Sequence, residues 1–212
     1  MLRLHDTALG LVVPIAGETG DPVSMYVCGP TVYGEAHAGH GRFVLIWDVL
    51  RRYLAWSGRP VRFVSNVTDV DDKIITRARE EGRSTADVAL DYEARWWEAM
   101  AALGVPRPDE VPHATAWIPQ MVDLIGELIA GGHAYVGGDG VYFAAESVPG
   151  YGLLAHQPIS SLKSGARVEV NAEAGKRAPI DFVLWKSARP GEPTWESPWG
   201  AGRPGWHTEC VV

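Results

Sequence analysis

Residues 24–42 read Ser-Met-Tyr-Val-Cys-Gly-Pro-Thr-Val-Tyr-Gly-Glu-Ala-His-Ala-Gly-His-Gly-Arg, and the rest of the chain is organised around this stretch. The apolar run Met25–Cys28 stops at a Gly-Pro pair, which predicts a buried strand ending in a tight turn. An amphipathic segment of helical length, Phe43–Leu54, follows the stretch. We therefore predict a strand, a Gly-rich loop and a helix, with His37 and His40 where the helix begins.

The start of this helix is a candidate site for phosphate. A helix N-terminus carries unpaired N–H groups and a partial positive charge, so it receives anions. Gly39 and Gly41 are expected to let a ligand lie close to the backbone. The imidazoles of His37 and His40 can donate hydrogen bonds to phosphate oxygens. These residues predict a nucleotide phosphate site.

The flanking segments predict an α/β fold. Val61–Asn66 alternates and is rich in β-branched residues, which indicates a second strand. Strand, helix and strand in this order predict a βαβ unit and a parallel sheet. Residues 1–23 and 189–204 are expected to be irregular. The remaining predicted elements are helices at Asp69–Glu81, Val88–Leu103 (after a capping box at Ser84) and Trp117–Ala130, a hairpin at Tyr135–Phe143, and a strand at Asp181–Lys186.

Composition limits the class of protein. The 212 residues are 46% hydrophobic, enough for one sizeable core or for one core and a small insertion. The net charge is −7 and there is no basic stripe, so the chain gives no electrostatic sign of strong nucleic-acid binding. No stretch approaches the ~20 apolar residues of a membrane span, and the N-terminus lacks the apolar core of a signal peptide. We expect no membrane contact.

The two cysteines, Cys28 and Cys210, lie far apart in the sequence and make a poor disulfide framework. Reduced thiols in a cytoplasmic protein, either bound to metal or buried, are the expected state.

Three acids begin the helix predicted after the second strand. Asp69, Asp71 and Asp72 could bind magnesium or orient an amine, but the helix dipole also explains acids at this position. The structural role is favoured for Asp69 and Asp72, and the role of Lys73 is open.

Several motifs resemble those of a known family. His37–His40 resembles the His-Ile-Gly-His signature of class I aminoacyl-tRNA synthetases, with Ala38 in place of the usual Ile. The segments Cys28–Tyr33, Asn66–Ile75 and Gly205–Cys210 resemble cysteinyl-tRNA synthetases in order and spacing. The similarity runs over nearly the whole chain.

The resemblance implies a Rossmann-like parallel sheet, the class I synthetase nucleotide-binding fold, with an inserted connective region. On this basis residues 1–115 are the first half of the catalytic domain and residues 116–200 are the insertion. Residues 201–212 are the truncated start of the second catalytic half. Class I synthetases divide their catalytic fold in this way.

The resemblance also assigns site residues. Catalytic roles fall to His37 and His40. ATP binding is assigned to Gly29, Thr31, His37, Gly39 and His40. The cysteine pocket is assigned to Gly29, Thr31, Thr68, Trp206 and His207.

Zinc is the implied cofactor, with Cys28 and Cys210 as ligands. A thiolate is a strong zinc ligand, and a metal–thiolate bond separates cysteine from serine better than an apolar pocket can. In the family a His and a Glu downstream of the second cysteine complete the site, so this chain carries half of it. His207 is a possible substitute ligand.

The implied reaction is activation of cysteine by ATP, with Mg²⁺, followed by transfer of the cysteinyl group to tRNA(Cys). The Lys-Met-Ser-Lys-Ser signature and the anticodon-binding parts are absent, so the chain resembles an N-terminal portion. A complementing C-terminal chain is a possible partner.

Two alternatives stay open. One is the related ligase that couples cysteine to an aminosugar in mycothiol synthesis, whose motif usually runs Cys-Gly-Ile-Thr-Pro-Tyr. Pro30 and Val32 instead match the motif of the synthetases. The other is a short, non-catalytic paralogue that binds nucleotide or a partner.

Overall fold

The computed structural model describes residues 2–15, 20–154, 156, 175–205 and 208–212. The chain forms two compact units, one comprising Gly17–Trp117 and the other Met1–Ala16 together with Ile118–Val212. The functional division at residues 115 and 200 stays a prediction.

The described residues include eight strands and four α-helices. The strands are β1 (Arg3–Asp6), β2 (Leu11–Pro14), β3 (Val23–Tyr26), β4 (Val61–Val64), β5 (Ala134–Val136), β6 (Gly140–Phe143), β7 (Phe182–Ser187) and β8 (Gly202–Pro204). The helices are α1 (Ala38–Trp56), α2 (Asp72–Glu81), α3 (Thr85–Ala102) and α4 (Ile118–Ala130). Short 3₁₀ turns occupy Ala114–Trp117, Ala145–Ser147 and Thr208–Cys210.

In the unit Gly17–Trp117, β3 and β4 are parallel neighbours joined by α1, with Met25 opposite Phe63. The predicted βαβ unit and parallel sheet are confirmed. The first strand ends earlier than predicted. Val27 still donates its N–H to the Val64 carbonyl at 3.0 Å, but Cys28 already lies in the loop.

The helices α2 and α3 pack against each other beside this sheet. Their core is formed by Val32, Val67, Ile74, Ala78, Val88 and Ala89. Gly82 ends α2 in a left-handed conformation (φ +64°), a backbone state that glycine adopts without a steric cost. Ser84 caps α3 as predicted, because its hydroxyl accepts from the N–H of Asp87 at 3.1 Å.

The other unit contains α4 and an antiparallel sheet in the order β5-β6-β7-β8. The predicted hairpin is confirmed as β5 and β6, and the predicted strand near residue 181 is β7. The predicted helix at Trp117 begins at Ile118, after a 3₁₀ turn. The hairpin β1–β2 occupies part of the expected lead-in.

The strand β8 corrects the prediction that residues 189–204 form only a loop. Gly202 lies so close to β7 that a Cβ would stand 2.3 Å from the Lys186 carbonyl oxygen and 2.4 Å from Nε1 of Trp185. The same glycine bridges to Trp195. A three-residue Gly-Arg-Pro strand has no alternating pattern, so the sequence did not indicate it.

The described helices include none that is both long enough and apolar enough to cross a bilayer.

Candidate functional site

The loops that follow β3 and β4 meet at a short parallel bridge. Thr31 pairs with Thr68, and the N–H of Thr68 donates to the Pro30 carbonyl at 2.9 Å. Three predicted site residues, Gly29, Thr31 and Thr68, therefore lie together beyond the carboxyl ends of two parallel strands. Open α/β sheets bind their ligands at this edge.

Asn66 holds the two loops together. Its side-chain oxygen accepts from the N–H of Gly29 at 2.9 Å and from the hydroxyl of Tyr26 at 3.2 Å. Its amide nitrogen donates to Oγ1 of Thr68 at 3.3 Å. Asn66 has 3% of its surface exposed. Its buried side chain fixes the positions of the two loops through these hydrogen bonds. No local pattern in the sequence marks Asn66 as a site residue, although it opens the Asn-Val-Thr-Asp motif.

Gly29 is required by the close approach of these loops. A Cβ at this position would lie 1.6 Å from the carbonyl oxygen of Asn66 and 2.8 Å from its carbonyl carbon. Any side chain would force the loops apart.

The N-terminus of α1 is closed by its own histidines. His37 is the N-cap, and its Nδ1 accepts from the N–H of Gly39 at 3.1 Å. Nδ1 of His40 accepts from the N–H of His37 at 3.2 Å. Together they form a capping box built from imidazoles. The N–H groups of His37 and Gly39 are thus bonded to these rings, and the phosphate site at this helix start stays a prediction.

These contacts use Nδ1 of each ring as an acceptor. A neutral imidazole that accepts at Nδ1 carries its proton on Nε2. The two rings stack with centroids 3.8 Å apart. Within the described part of the chain, neither Nε2 atom forms a hydrogen bond. In its neutral form each histidine therefore has one unused N–H donor at the helix start.

The pKa of His40 is lowered from its ordinary value. Partial burial is the main cause, and the neighbouring His37 and Lys73 add repulsion of positive charge. The Trp96 ring contacts His40 edge-on at 5.4 Å between centroids. A lowered pKa favours the neutral form of His40 near pH 7.

The two glycines of the motif have different roles. Gly39 is exposed, and a Cβ there would meet Cε1 of His37 at 2.9 Å, so it makes room for the capping ring. Gly41 is buried, and its Cβ would stand 3.2 Å from Leu103. Gly41 therefore packs against the residue that follows α3, and its approach to a ligand stays a prediction.

Side chains from α2 and α3 hold the loop that leads into α1. Nε of Arg77 donates to the carbonyl of Tyr33 at 3.2 Å. Nζ of Lys73 lies 4.7 Å from the centre of the Tyr33 ring. Arg95 forms an ion pair with Glu35. Lys73, whose role the sequence left open, thus supports the loop beside the histidines.

The acids before α2 have structural partners. Asp69 accepts from the N–H of Thr115 at 2.9 Å and from its hydroxyl at 2.5 Å. Asp71, rather than Asp69, caps α2 by accepting from the N–H of Lys73 at 2.9 Å. Asp72 lies in the first turn of α2, where a negative charge complements the dipole.

The predicted zinc ligands lie in different units. Cys28 is exposed in the loop after β3, and Cys210 is half-buried in the 3₁₀ turn Thr208–Cys210. Neither cysteine is in a disulfide. The described ranges contain no group of three or more His, Cys, Asp or Glu side chains arranged to hold a metal ion. Trp206 and His207 lie outside the described residues.

A mostly apolar cleft opens beside Cys28 and Gly29. Its walls include Phe43 and Trp47 from α1 and Trp96, Trp97 and Met100 from α3. The cleft places apolar surface next to the loop that carries the candidate site.

The fold is similar to that of class I aminoacyl-tRNA synthetases of known structure. Residues covering 54% of the chain superpose on 23% of Mycobacterium tuberculosis methionyl-tRNA synthetase, in complex with methionyl-adenylate, with a TM-score of 0.50 and 20% identity. The LeuRS of Agrobacterium radiobacter K84, in a ternary complex with tRNA and LeuAMS, matches over 59% of this chain and 16% of its own, with a TM-score of 0.50 and 21% identity. At these identities the likeness concerns the fold alone.

The particular family follows from the sequence comparison. Residues 15–212 match the family described as tRNA synthetases class I (C) catalytic domain. The chain belongs to this family.

Relatives agree with this assignment. The cysteine–tRNA ligase of Halorhodospira halophila is 47% identical over 99% of this chain and 46% of its own length. Those of Pseudothermotoga lettingae and Syntrophobacter fumaroxidans are 50% and 52% identical, over 90% and 89% of this chain and 41% and 38% of their own lengths. The chain thus spans less than half the length of these relatives.

Proposed function

We propose that this chain supplies the nucleotide-binding part of a cysteine–tRNA ligase. In this role it activates cysteine with ATP, and the cysteinyl group is then transferred to tRNA(Cys). The observation that carries the proposal is the imidazole capping box at the start of α1, which leaves two Nε2–H donors at a helix N-terminus. Membership of the family supports it further.

In the activation step a carboxylate oxygen of cysteine attacks the α-phosphorus of ATP. The bond from this phosphorus to the bridging oxygen breaks, and pyrophosphate leaves with its Mg²⁺. The Nε2–H groups of His37 and His40 donate to phosphate oxygens as negative charge builds up. Such donors stabilise the transition state because they are already oriented.

The cysteine substrate is proposed to lie beside Gly29, Thr31 and Thr68. The close approach and hydrogen bond of Gly29 to Asn66 hold this edge of the sheet in place. Trp206 and His207 are proposed as further parts of the pocket on the basis of the family motif alone. A terminal ribose hydroxyl of tRNA(Cys) then attacks the carbonyl carbon of the adenylate, and AMP leaves.

Zinc is proposed as the cofactor, with Cys28 and Cys210 as two of its ligands. An exposed thiol on the loop after β3 is accessible to a metal, and two thiolates are typical zinc donors. The remaining ligands lie outside the described residues. Zinc would supply a direct bond to the substrate thiol, which serine cannot match.

The proposed reaction needs tRNA contacts and a second signature that this chain does not carry. A complementing polypeptide, or a longer version of the chain, is therefore part of the proposal. We propose that the protein acts in the cytoplasm, because its proposed reaction supplies aminoacylated tRNA for translation. The relatives reported above are named cysteine–tRNA ligases, and no observation favours the aminosugar ligase or a non-catalytic role.

A chimera tests this function. The chain replaces the corresponding segment of the Halorhodospira halophila enzyme, and cysteine-dependent ATP–pyrophosphate exchange is measured. We expect exchange in the chimera, its loss in His40→Ala, and its retention in the matched control His5→Ala, which changes an exposed histidine of β1. An inactive chimera, or near-normal exchange by His40→Ala, would contradict the proposal.

A further inference from the structure

The His40 imidazole contacts two aromatic rings that come from different elements. At its own helix start, the His37 ring stacks on it with 3.8 Å between centroids and 22° between planes. From α3, the Trp96 ring meets it edge-on, with centroids 5.4 Å apart and planes 73° apart. Nδ1 of His40 also accepts from the backbone N–H of His37. The stacked ring, the perpendicular ring and the hydrogen bond together restrict rotation of the His40 side chain.

Trp96 is the contact that comes from a distant part of the chain, and it is rigidly placed. Its side chain is buried, as is that of Met100, one turn further along α3. The neighbouring Trp97 is held by its Nε1, which donates to Glu93 at 2.9 Å. Large side chains in a close-packed interior have few rotamers open to them. The Trp96 ring therefore gives His40 a fixed surface to rest against.

Burial by Trp96 distinguishes the two histidines. His37 is exposed, whereas His40 is half-buried. Partial burial is the main cause of the lowered pKa of His40, and the Trp96 ring supplies apolar surface on the side of α3. An apolar neighbour that excludes water disfavours the charged imidazolium.

The charged groups around His40 lie on other elements than α3. Those that act on its pKa are His37, at the same helix start, and Lys73 on α2. On α3 itself, Arg95 is paired with Glu35 and with Asp91. The helix α3 thus acts on His40 by contact and by exclusion of water rather than by a charge.

We propose that Trp96 is a positioning residue for cysteine activation, whose buried ring holds the His40 imidazole in the orientation from which Nε2–H donates to a phosphate of ATP. The inference rests on the proposed function and deepens it by naming a residue that acts through His40. A donor that is already oriented stabilises the transition state without reorganisation during the reaction. Loss of Trp96 should therefore act on turnover rather than on the binding of cysteine.

The test combines three variants with two readouts. Trp96→Leu removes the ring, and Trp96→Phe keeps a smaller ring at the same position. Val88→Ala is the control, because Val88 is a fully buried residue of the same helix that packs in the core with α2. The pKa of His40 is measured by NMR titration of this chain. Cysteine-dependent ATP–pyrophosphate exchange is measured in the Halorhodospira halophila chimera, at a temperature where urea unfolding shows every variant to be folded.

We expect graded effects of the two Trp96 variants. Trp96→Leu should raise the pKa of His40 toward its ordinary value, because water then reaches the ring. It should also lower kcat ~10-fold while the KM for cysteine stays within about twofold. Trp96→Phe should lower kcat only about twofold to threefold, with a smaller rise in the pKa. Val88→Ala should lower the urea midpoint and leave both readouts at their parental values.

Four results would overturn the inference. They are an unchanged pKa of His40 in Trp96→Leu, unchanged exchange in that variant, an equal loss of exchange in Val88→Ala, and parental values of both readouts in Trp96→Phe. The last result decides the question by itself if Trp96→Leu does not fold. The titration requires neither ATP nor cysteine. An inactive parent chimera would contradict the proposed function, and the titration alone would then decide whether Trp96 holds the imidazole.

Discussion

His37 and His40 cap α1 together. Their rings stack at 3.8 Å, and Nδ1 of His40 accepts from the backbone N–H of His37 at 3.2 Å. One nitrogen of each ring serves the helix, and the other carries a proton that can be donated to a ligand. The two histidines therefore have a structural role and a proposed functional role, which substitutions can separate.

Replacing His37 by asparagine should separate these roles. Asparagine is a good N-cap, so His37→Asn should keep the stability of the chain within about 0.5 kcal/mol, whereas His37→Ala should lose about 1 kcal/mol. Both should weaken ATP binding about tenfold, since a hydrogen bond to a charged group is lost. Urea unfolding and calorimetric titration measure the two effects. If His37→Asn binds ATP with unchanged affinity, the role of His37 is limited to capping α1 and it does not bind ATP.

The stability of the chain should depend on pH through His40. The folded-state pKa of His40 is lowered, so below the ordinary value near 6.5 the unfolded chain takes up the proton first. This contribution is fully present above about pH 6.5 and is lost as the pH falls through the lower folded pKa.

His40→Gln isolates that contribution, because glutamine can accept from the same N–H in a capping box but does not titrate. Between pH 7.5 and 5.5, urea midpoints of the parent should fall further than those of His40→Gln. Parallel midpoints in the two proteins would show that His40 has an ordinary pKa.

Gly29→Ala should be strongly destabilising. Its Cβ would lie 1.6 Å from the Asn66 carbonyl oxygen, and backbone cannot move aside as a side-chain tip can. We expect a loss of about 2 kcal/mol or more in urea unfolding. Gly34→Ala is the control in the same loop, since its nearest contact is Arg77 at 3.9 Å. Equal stability of the two variants would refute the close approach of the loops.

Cys28→Ser should reduce bound zinc in the chimera. A hydroxyl is a much weaker zinc ligand than a thiolate, so zinc retained after dialysis should fall ~10-fold or more. Discrimination between cysteine and serine in pyrophosphate exchange should fall with it. Cys210→Ser is expected to behave alike. Zinc content equal to that of the parent chimera would leave Cys28 as an ordinary thiol.

Local patterns predicted most of the unit that carries the site. The alternating second strand and the cap at Ser84 each depend on neighbours in sequence, and each was confirmed. The apolar run before Gly29 also forms a strand, but this strand ends at Tyr26 and is partly exposed rather than buried.

The start of α1 at Ala38, with His37 as its N-cap, agrees with the predicted helix start at His37 and His40. Histidine is an uncommon N-cap, so the Gly-rich loop and the amphipathic segment after it, rather than an ordinary capping residue, indicated this start.

Features that depend on distant contacts could not be predicted. Asn66 reaches Gly29 across the sheet, and the burial of Gly41 depends on Leu103 at the far end of α3. The strand β8 exists because Gly202 fits against Trp185. None of these contacts leaves a periodic pattern in the sequence.

The most direct measurement of the central claim is the calorimetric titration of this chain with Mg²⁺–ATP, beside His40→Ala and Ser84→Ala. Both substitutions remove a side-chain bond at a helix start, but only His40 offers a donor at the proposed phosphate site. We predict that the parent and Ser84→Ala bind ATP with equal affinity and that His40→Ala binds at least about tenfold more weakly. Equal binding by His40→Ala, or no binding by the parent, would contradict the claim.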